Sequence, residues 1–102
     1  MGILNADENT LIMDTPEFPA EYIPVSMEHY KAYNFLKAST LNWTFVCPPD
    51  IKDAAVTGIY TTNVDFPPVK NKYHINAGDL AMFMLKEITA NEFVKQKVGI
   101  SN

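Results

Sequence analysis

Asn42-Trp43-Thr44-Phe45-Val46-Cys47-Pro48-Pro49 is the stretch that decides the fold. Residues 42–47 are β-branched and aromatic with little polar alternation, which suits a strand covered on both faces, as in a parallel sheet. Pro48-Pro49 stops it, because neither residue can donate to a ladder. Upstream, Ala20, Ile23, Met27, Tyr30, Tyr33 and Leu36 recur at three- and four-residue steps and predict a helix over 20–38. Pro24 fits only in the first turn of such a helix, and Ser26 offers an alternative cap for a later start. Helix, short link, apolar strand and stop make half of a βαβ unit, so the chain reads as α/β.

The flanks follow the same logic. Residues 10–14 are a short apolar run, strand or loop, broken by Asp14-Thr15-Pro16 and Phe18-Pro19. Residues 57–62 predict a strand, and Tyr73-His74-Ile75 a short extended piece. Residues 77–88 predict the clearest helix, with Asn76 as cap, Asp79 as an N-terminal charge, and Leu80, Phe83, Met84 and Ile88 as the buried face. Residues 90–96 read as a short second helix capped by Asn91, and 97–101 as a last strand.

Composition narrows the function classes. The chain has 102 residues, a formal charge of −4, 47% hydrophobic and 20% charged residues, which is ordinary for one globular domain. All eight basic residues are Lys, so no guanidinium clamp on phosphate or carboxylate is available. Neither half is basic enough for a nucleic-acid face. No run approaches the ~20 apolar residues of a membrane span. Two His and one Cys argue against a zinc site, and the single Cys fits a reducing compartment such as the cytoplasm. Four Gly and no GxGxxG or GxxxxGK[ST] leave no phosphate-cradling loop.

Two places are candidates for chemistry. In an open α/β sheet, ligands lie beyond the carboxyl ends of the strands, which is where Pro48, Pro49, Asp50 and Ile51 fall. Two prolines give a rigid surface for a flat ring, with Asp50 at its edge; the alternative is a strand stop with a solvated Asp. His29, on the preceding helix, is either a neutral hydrogen-bond donor to a substrate or a surface side chain. Cys47 in its apolar run reads as a small hydrophobe, and His74 as structural.

Taken in order, several segments resemble one family: 13–19 (Met-Asp-Thr-Pro-Glu-Phe-Pro), Phe35-Leu36-Lys37-Ala38-Ser39, 41–46, Pro48-Pro49, Thr57-Gly58-Ile59-Tyr60 and Asp79-Leu80-Ala81. They look like the second half of an atypical short-chain dehydrogenase, in the branch of biliverdin reductase B, NADPH-flavin reductases and NmrA-like proteins. The resemblance implies the C-terminal portion of a Rossmann-like fold and NAD(P)H-dependent reduction of flavins or similar flat substrates. It places Pro48 and Pro49 beside the nicotinamide, and His29, Asp50 and Ile51 at the substrate. Met1 to Leu4 resemble the end of a Gly-Gly-Ala-Gly-Ser-Leu stretch, with Ile3 where that stretch has Ser.

The same resemblance makes 1–102 a partial domain that lacks the N-terminal Gly-rich βαβ. Tight NADP or NAD binding by this chain alone is therefore not expected. The strand at 42–47 would lack a neighbour, which predicts a homodimer or pairing with a separate N-terminal half. The alternative is a non-catalytic interaction or ligand-binding module that folds by self-association.

Overall fold

A computed structural model describes residues 1–102. Two antiparallel strands open the chain, β1 (Asn5–Asp7) and β2 (Thr10–Leu11). Single turns of 3-10 helix at Ile12–Asp14 and Ala20–Tyr22 lead into α1 (Ile23–Lys37). Then come β3 (Thr44–Cys47), β4 (Asp50–Lys52), β5 (Thr61–Val64), β6 (His74–Asn76), α2 (Ala77–Ala90) and β7 (Gln96–Ser101). The central sheet has the order β3-β7-β5. β3 runs parallel to β7, from Thr44 opposite Gln96 to Cys47 opposite Gly99, and β5 is antiparallel to β7. β4 and β6 form a separate parallel pair.

β3 is covered on both faces, as its composition predicts. Val46 packs toward α2 with Ile75, Phe83, Val98 and Ile100. Phe45 and Cys47 face the other way, toward Ile3, Leu4, Tyr30 and Tyr33. Each fully buried aliphatic side chain of these clusters contributes about 1.5–3 kcal/mol by leaving water. The helices therefore lie on opposite sides of the sheet, the layering of an α/β domain.

Five expectations are corrected. The predicted stripe on α1 is rotated: Ile23 and Met27 are exposed, Ser26 is buried, and Tyr30, Tyr33 and Leu36 are half-buried. Ser26 faces the core because its side chain meets Gly2, where any Cβ would collide with the Ser26 hydroxyl. Pro24 does sit in the first turn. On α2, Met84 and Ile88 are exposed, and the buried residues are Asp79, Phe83 and Glu87. Asn76 makes no capping hydrogen bond.

Residues 90–96 are not a helix. Asn91 instead closes α2 in the left-handed conformation (φ 50°). The Glu87 carboxylate accepts from the backbone N–H of Glu92 (2.6 Å) and Phe93 (2.9 Å), a competing partner that holds the segment in turns. The strand expected over 57–62 begins only at Thr61, because Thr57 and Gly58 are bound by Asp79.

Candidate functional site

Pro48-Pro49 lies past the carboxyl end of β3, and the chain re-enters extended structure at Asp50 rather than remaining a loop. A cleft of about 520 Å³ opens there. Its lining comes from Pro48, Pro49 and Asp50 after β3, from Tyr22, Val25, Ser26 and His29 around the start of α1, and from Met1, Gly2, Ile12, Phe18, Pro19 and Tyr73. The structure thus brings Pro48, Pro49, Asp50 and His29 around one cleft. It leaves Ile51 out: that side chain is exposed on β4 and does not line the cavity.

The lining is mostly apolar. Phe18 and Tyr22 meet edge to face, with centroids 6.4 Å apart. Tyr73 is held at φ 59° after an Asn71 side chain that accepts its N–H (2.7 Å). The aromatic and proline side chains give the cleft its apolar surface, and Ser26, His29 and Asp50 are polar side chains among its lining. No Lys lines the cleft.

The segment that follows the cleft-lining Met1 and Gly2 is held by Lys97. The Lys97 ammonium, buried on β7, donates to the Ile3 carbonyl (2.7 Å) and to Asn5 Oδ1 (2.8 Å), and lies 5.4 Å from the Tyr33 ring centroid. Burial pushes the Lys97 pKa down, while Asp65 opposes that shift. The Met1 amino group donates to the Pro48 carbonyl (3.2 Å), joining two parts of the lining. Cys47, beneath them, is no nucleophile: burial pushes its thiol up to about 11.

A second network fixes the far side. Asp79 is fully buried and accepts from Thr57 N–H, Thr57 Oγ1, Gly58 N–H (each 2.8 Å) and Asn102 Nδ2 (2.6 Å). Burial pushes its pKa up, but the hydrogen bonds from Asn102, Gly58 and Thr57 outweigh this and hold the carboxyl at about 2. Asp79 is therefore an anchor for the segment that leaves β4, beyond a simple helix-end charge.

Gly2, Phe18, Tyr22, Ser26 and Tyr73 were not singled out as site residues from sequence. Each is far in sequence from Pro48-Asp50, and only the return of the chain brings them together. The signals present in the sequence are the family-like segments 13–19, which contains Phe18, and Met1 to Leu4, which contains Gly2.

Three of the four glycines are packed. Gly78, in the first turn of α2, packs on the Ala55–Val56 backbone, and Gly99 on the Phe66 carbonyl. Gly2 is pressed against Ser26. Gly58, at φ 77°, has open space around it, and its N–H donates to Asp79.

Comparison with known proteins identifies the family. Residues 1–91 match the NAD(P)H-binding family. The chain is 33% identical over 106 aligned residues to the uncharacterized protein YwnB of Bacillus subtilis, covering 97% of the chain and 50% of YwnB. Among solved structures it resembles a Burkholderia pseudomallei protein described as exported, with 28% identity and a TM-score of 0.88 over 99% of the chain and 51% of that protein. It also resembles a Streptococcus pneumoniae protein described as an NADH-flavin reductase, with 29% identity and a TM-score of 0.87 over 99% of the chain and 51% of that protein. The chain therefore spans about half the length of the relatives it matches.

Proposed function

The chain belongs to the NAD(P)H-binding family, and from that premise we propose that it is the substrate-side part of an NAD(P)H-dependent oxidoreductase. The acceptor is a flavin or a similarly flat conjugated molecule, reduced by hydride transfer. The observation that carries this reading is the cleft between Pro48-Pro49 and the start of α1, aromatic and proline-walled with a sparse polar rim. The relative described as an NADH-flavin reductase adds support.

In this reading the protein positions its reactants, and the cofactor, when bound, supplies the reducing chemistry. Tyr22, Tyr73 and Pro48-Pro49 clamp the acceptor ring and exclude water from it. Asp50 and His29 hydrogen-bond its polar edge and set its orientation. Pro48 and Pro49 also border the nicotinamide. The phosphates of the dinucleotide are held outside this cleft, since the chain carries no GxGxxG loop and no Lys lines the cleft.

Riboflavin and FMN titrations read by quenching of flavin fluorescence test the substrate side directly. Saturable quenching is expected, weakened several-fold by Tyr22→Ala or Tyr73→Ala through loss of stacking area. Absence of quenching by either flavin, or quenching indifferent to both substitutions, would refute the assignment.

A further inference from the structure

We propose that the Ser26 hydroxyl is the buried hydrogen-bonding point of the cleft, donating to a carbonyl oxygen or ring nitrogen on a flat ligand. That the ligand is a redox acceptor rests on the functional reading above; the Ser26 contact rests on side-chain geometry.

Five polar or charged side chains are buried: Ser26, Asp79, Glu87, Lys97 and Ser101. Four of them are paired. Asp79, Glu87 and Lys97 hold the bonds described above. Ser101 Oγ donates to the His74 carbonyl (3.3 Å) and accepts from the Lys72 N–H (3.0 Å). Ser26, only 5% exposed, makes no hydrogen bond through its hydroxyl. Hydroxyls on helices ordinarily bond back to a carbonyl of the preceding turn, as Thr89 does to Lys86 (3.2 Å). Ala at position 26 would have the higher helix propensity and no polar group to desolvate.

The hydroxyl is not sealed in. No fully enclosed side-chain nitrogen or oxygen in this structure lacks a partner, so the unpaired Ser26 oxygen keeps an opening. The cleft that Ser26 lines is that opening. Gly2 and Phe18, in the same lining, stand beside it. A Cβ on Gly2 would meet the hydroxyl and lie 2.9 Å from Ser26 Cβ and 3.2 Å from the Phe18 ring. Any side chain at position 2 would therefore displace the hydroxyl.

The chemistry of the lining sets the ligand. A hydroxyl carries one hydrogen, and no group of the chain receives it from Ser26. An ionised carboxylate such as that of Asp50 only accepts. The lining thus offers a buried donor at Ser26 and an exposed acceptor at Asp50. That pair matches a heteroaromatic edge on which a carbonyl or ring nitrogen stands near an N–H. His29, three residues along the same face of α1, is exposed and serves groups further out. A plain hydrocarbon ring would exclude water and leave the Ser26 hydrogen unpaired, so Ser26 selects against it.

Quinoline and naphthalene test this, because they differ by one ring nitrogen in place of a CH. Both are titrated with the quinoline uncharged, and amide NMR shifts of the chain are followed. Quinoline should bind about three- to tenfold more tightly than naphthalene, the gain of one hydrogen bond. Ser26→Ala should erase that preference and leave naphthalene affinity unchanged. Ser26→Cys, similar in volume with a weaker donor, should keep a fraction of it. A purely structural Ser26 would move both affinities together or neither. Equal affinities in the parent chain, a preference that survives Ser26→Ala, or no binding of quinoline overturns the inference. Riboflavin titrated in parallel separates the two readings. The expected quinoline pattern without riboflavin binding leaves the Ser26 contact standing and removes the flavin assignment. Riboflavin binding that depends on Tyr22, with both ligands indifferent to Ser26→Ala, keeps the assignment and overturns the contact.

Discussion

Substituting Ala for Gly78 sets two opposed effects against each other. Gly78 lies in the first turn of α2, where helix propensity favours Ala by up to about 1 kcal/mol. Against this, an added Cβ would meet the Val56 backbone nitrogen and lie 2.8 Å from Ala55 C and Val56 Cα. These are backbone atoms, so no rotamer change relieves the contact, and overpacking of this kind costs about 1–3 kcal/mol. Moving the loop away also strains the Gly78 N–H to Ala54 carbonyl bond (3.1 Å), worth about 1 kcal/mol. Packing wins, and Gly78→Ala should be less stable by about 1–3 kcal/mol. Urea denaturation should show a midpoint lower by roughly 1 M with an unchanged slope. The loop leaves directly from β4, so flavin quenching should weaken in the same variant through displacement of Asp50. A midpoint that holds or rises would refute the reasoning, since the loop would then not press on the helix.

Three further outcomes follow from the buried polar groups. Asp79 has a folded pKa of about 2, below its ordinary 3.8. Its contribution is thus present above about pH 4 and lost as pH falls toward 2, and Asp79→Asn should flatten the acid slope of the melting temperature; an unaltered slope would count against the network. Glu87→Ala leaves the Glu92 and Phe93 amides without their acceptor and should cost about 2–4 kcal/mol, with Glu87→Gln losing about half of that. Hydrogen exchange at those two amides should quicken, and unchanged protection would oppose the assignment. Lys97→Met should reduce flavin affinity without touching the cleft, because the Ile3 carbonyl and Asn5 lose their brace; a variant that binds flavin as tightly as the parent would show that the brace does not position the cleft-lining Met1 and Gly2.

What could be read from the sequence was what local chemistry determines. The run around Phe45 and Val46, with prolines behind it, admits few structures other than a buried strand with a stop. The periodicity of 77–88 and the position of Pro24 are similarly local. The misreadings share one cause, a distant partner competing for a local group. Glu87 captures the amides that would have started a helix after Asn91. Asp79 captures Thr57 and Gly58 and delays β5. Gly2 makes room for Ser26 and turns α1. The exposure of Met84 and Ile88 is a separate case: those residues are apolar at helical spacing, as a buried face should be, yet Phe83 and Glu87 take the buried positions on α2. In the cleft, Pro48-Asp50 and His29 could be named from sequence, whereas Tyr22 and Tyr73 could not, because only tertiary return places them opposite.

NADPH affinity tests the central claim most directly, measured on this chain alone and again after addition of the half of YwnB that it does not match. The chain alone should bind weaker than about millimolar, because it has a place for a flat ring and none for the pyrophosphate. With the complementary half present, binding should tighten to the micromolar range. Micromolar NADPH binding by the chain as a monomer would contradict the account.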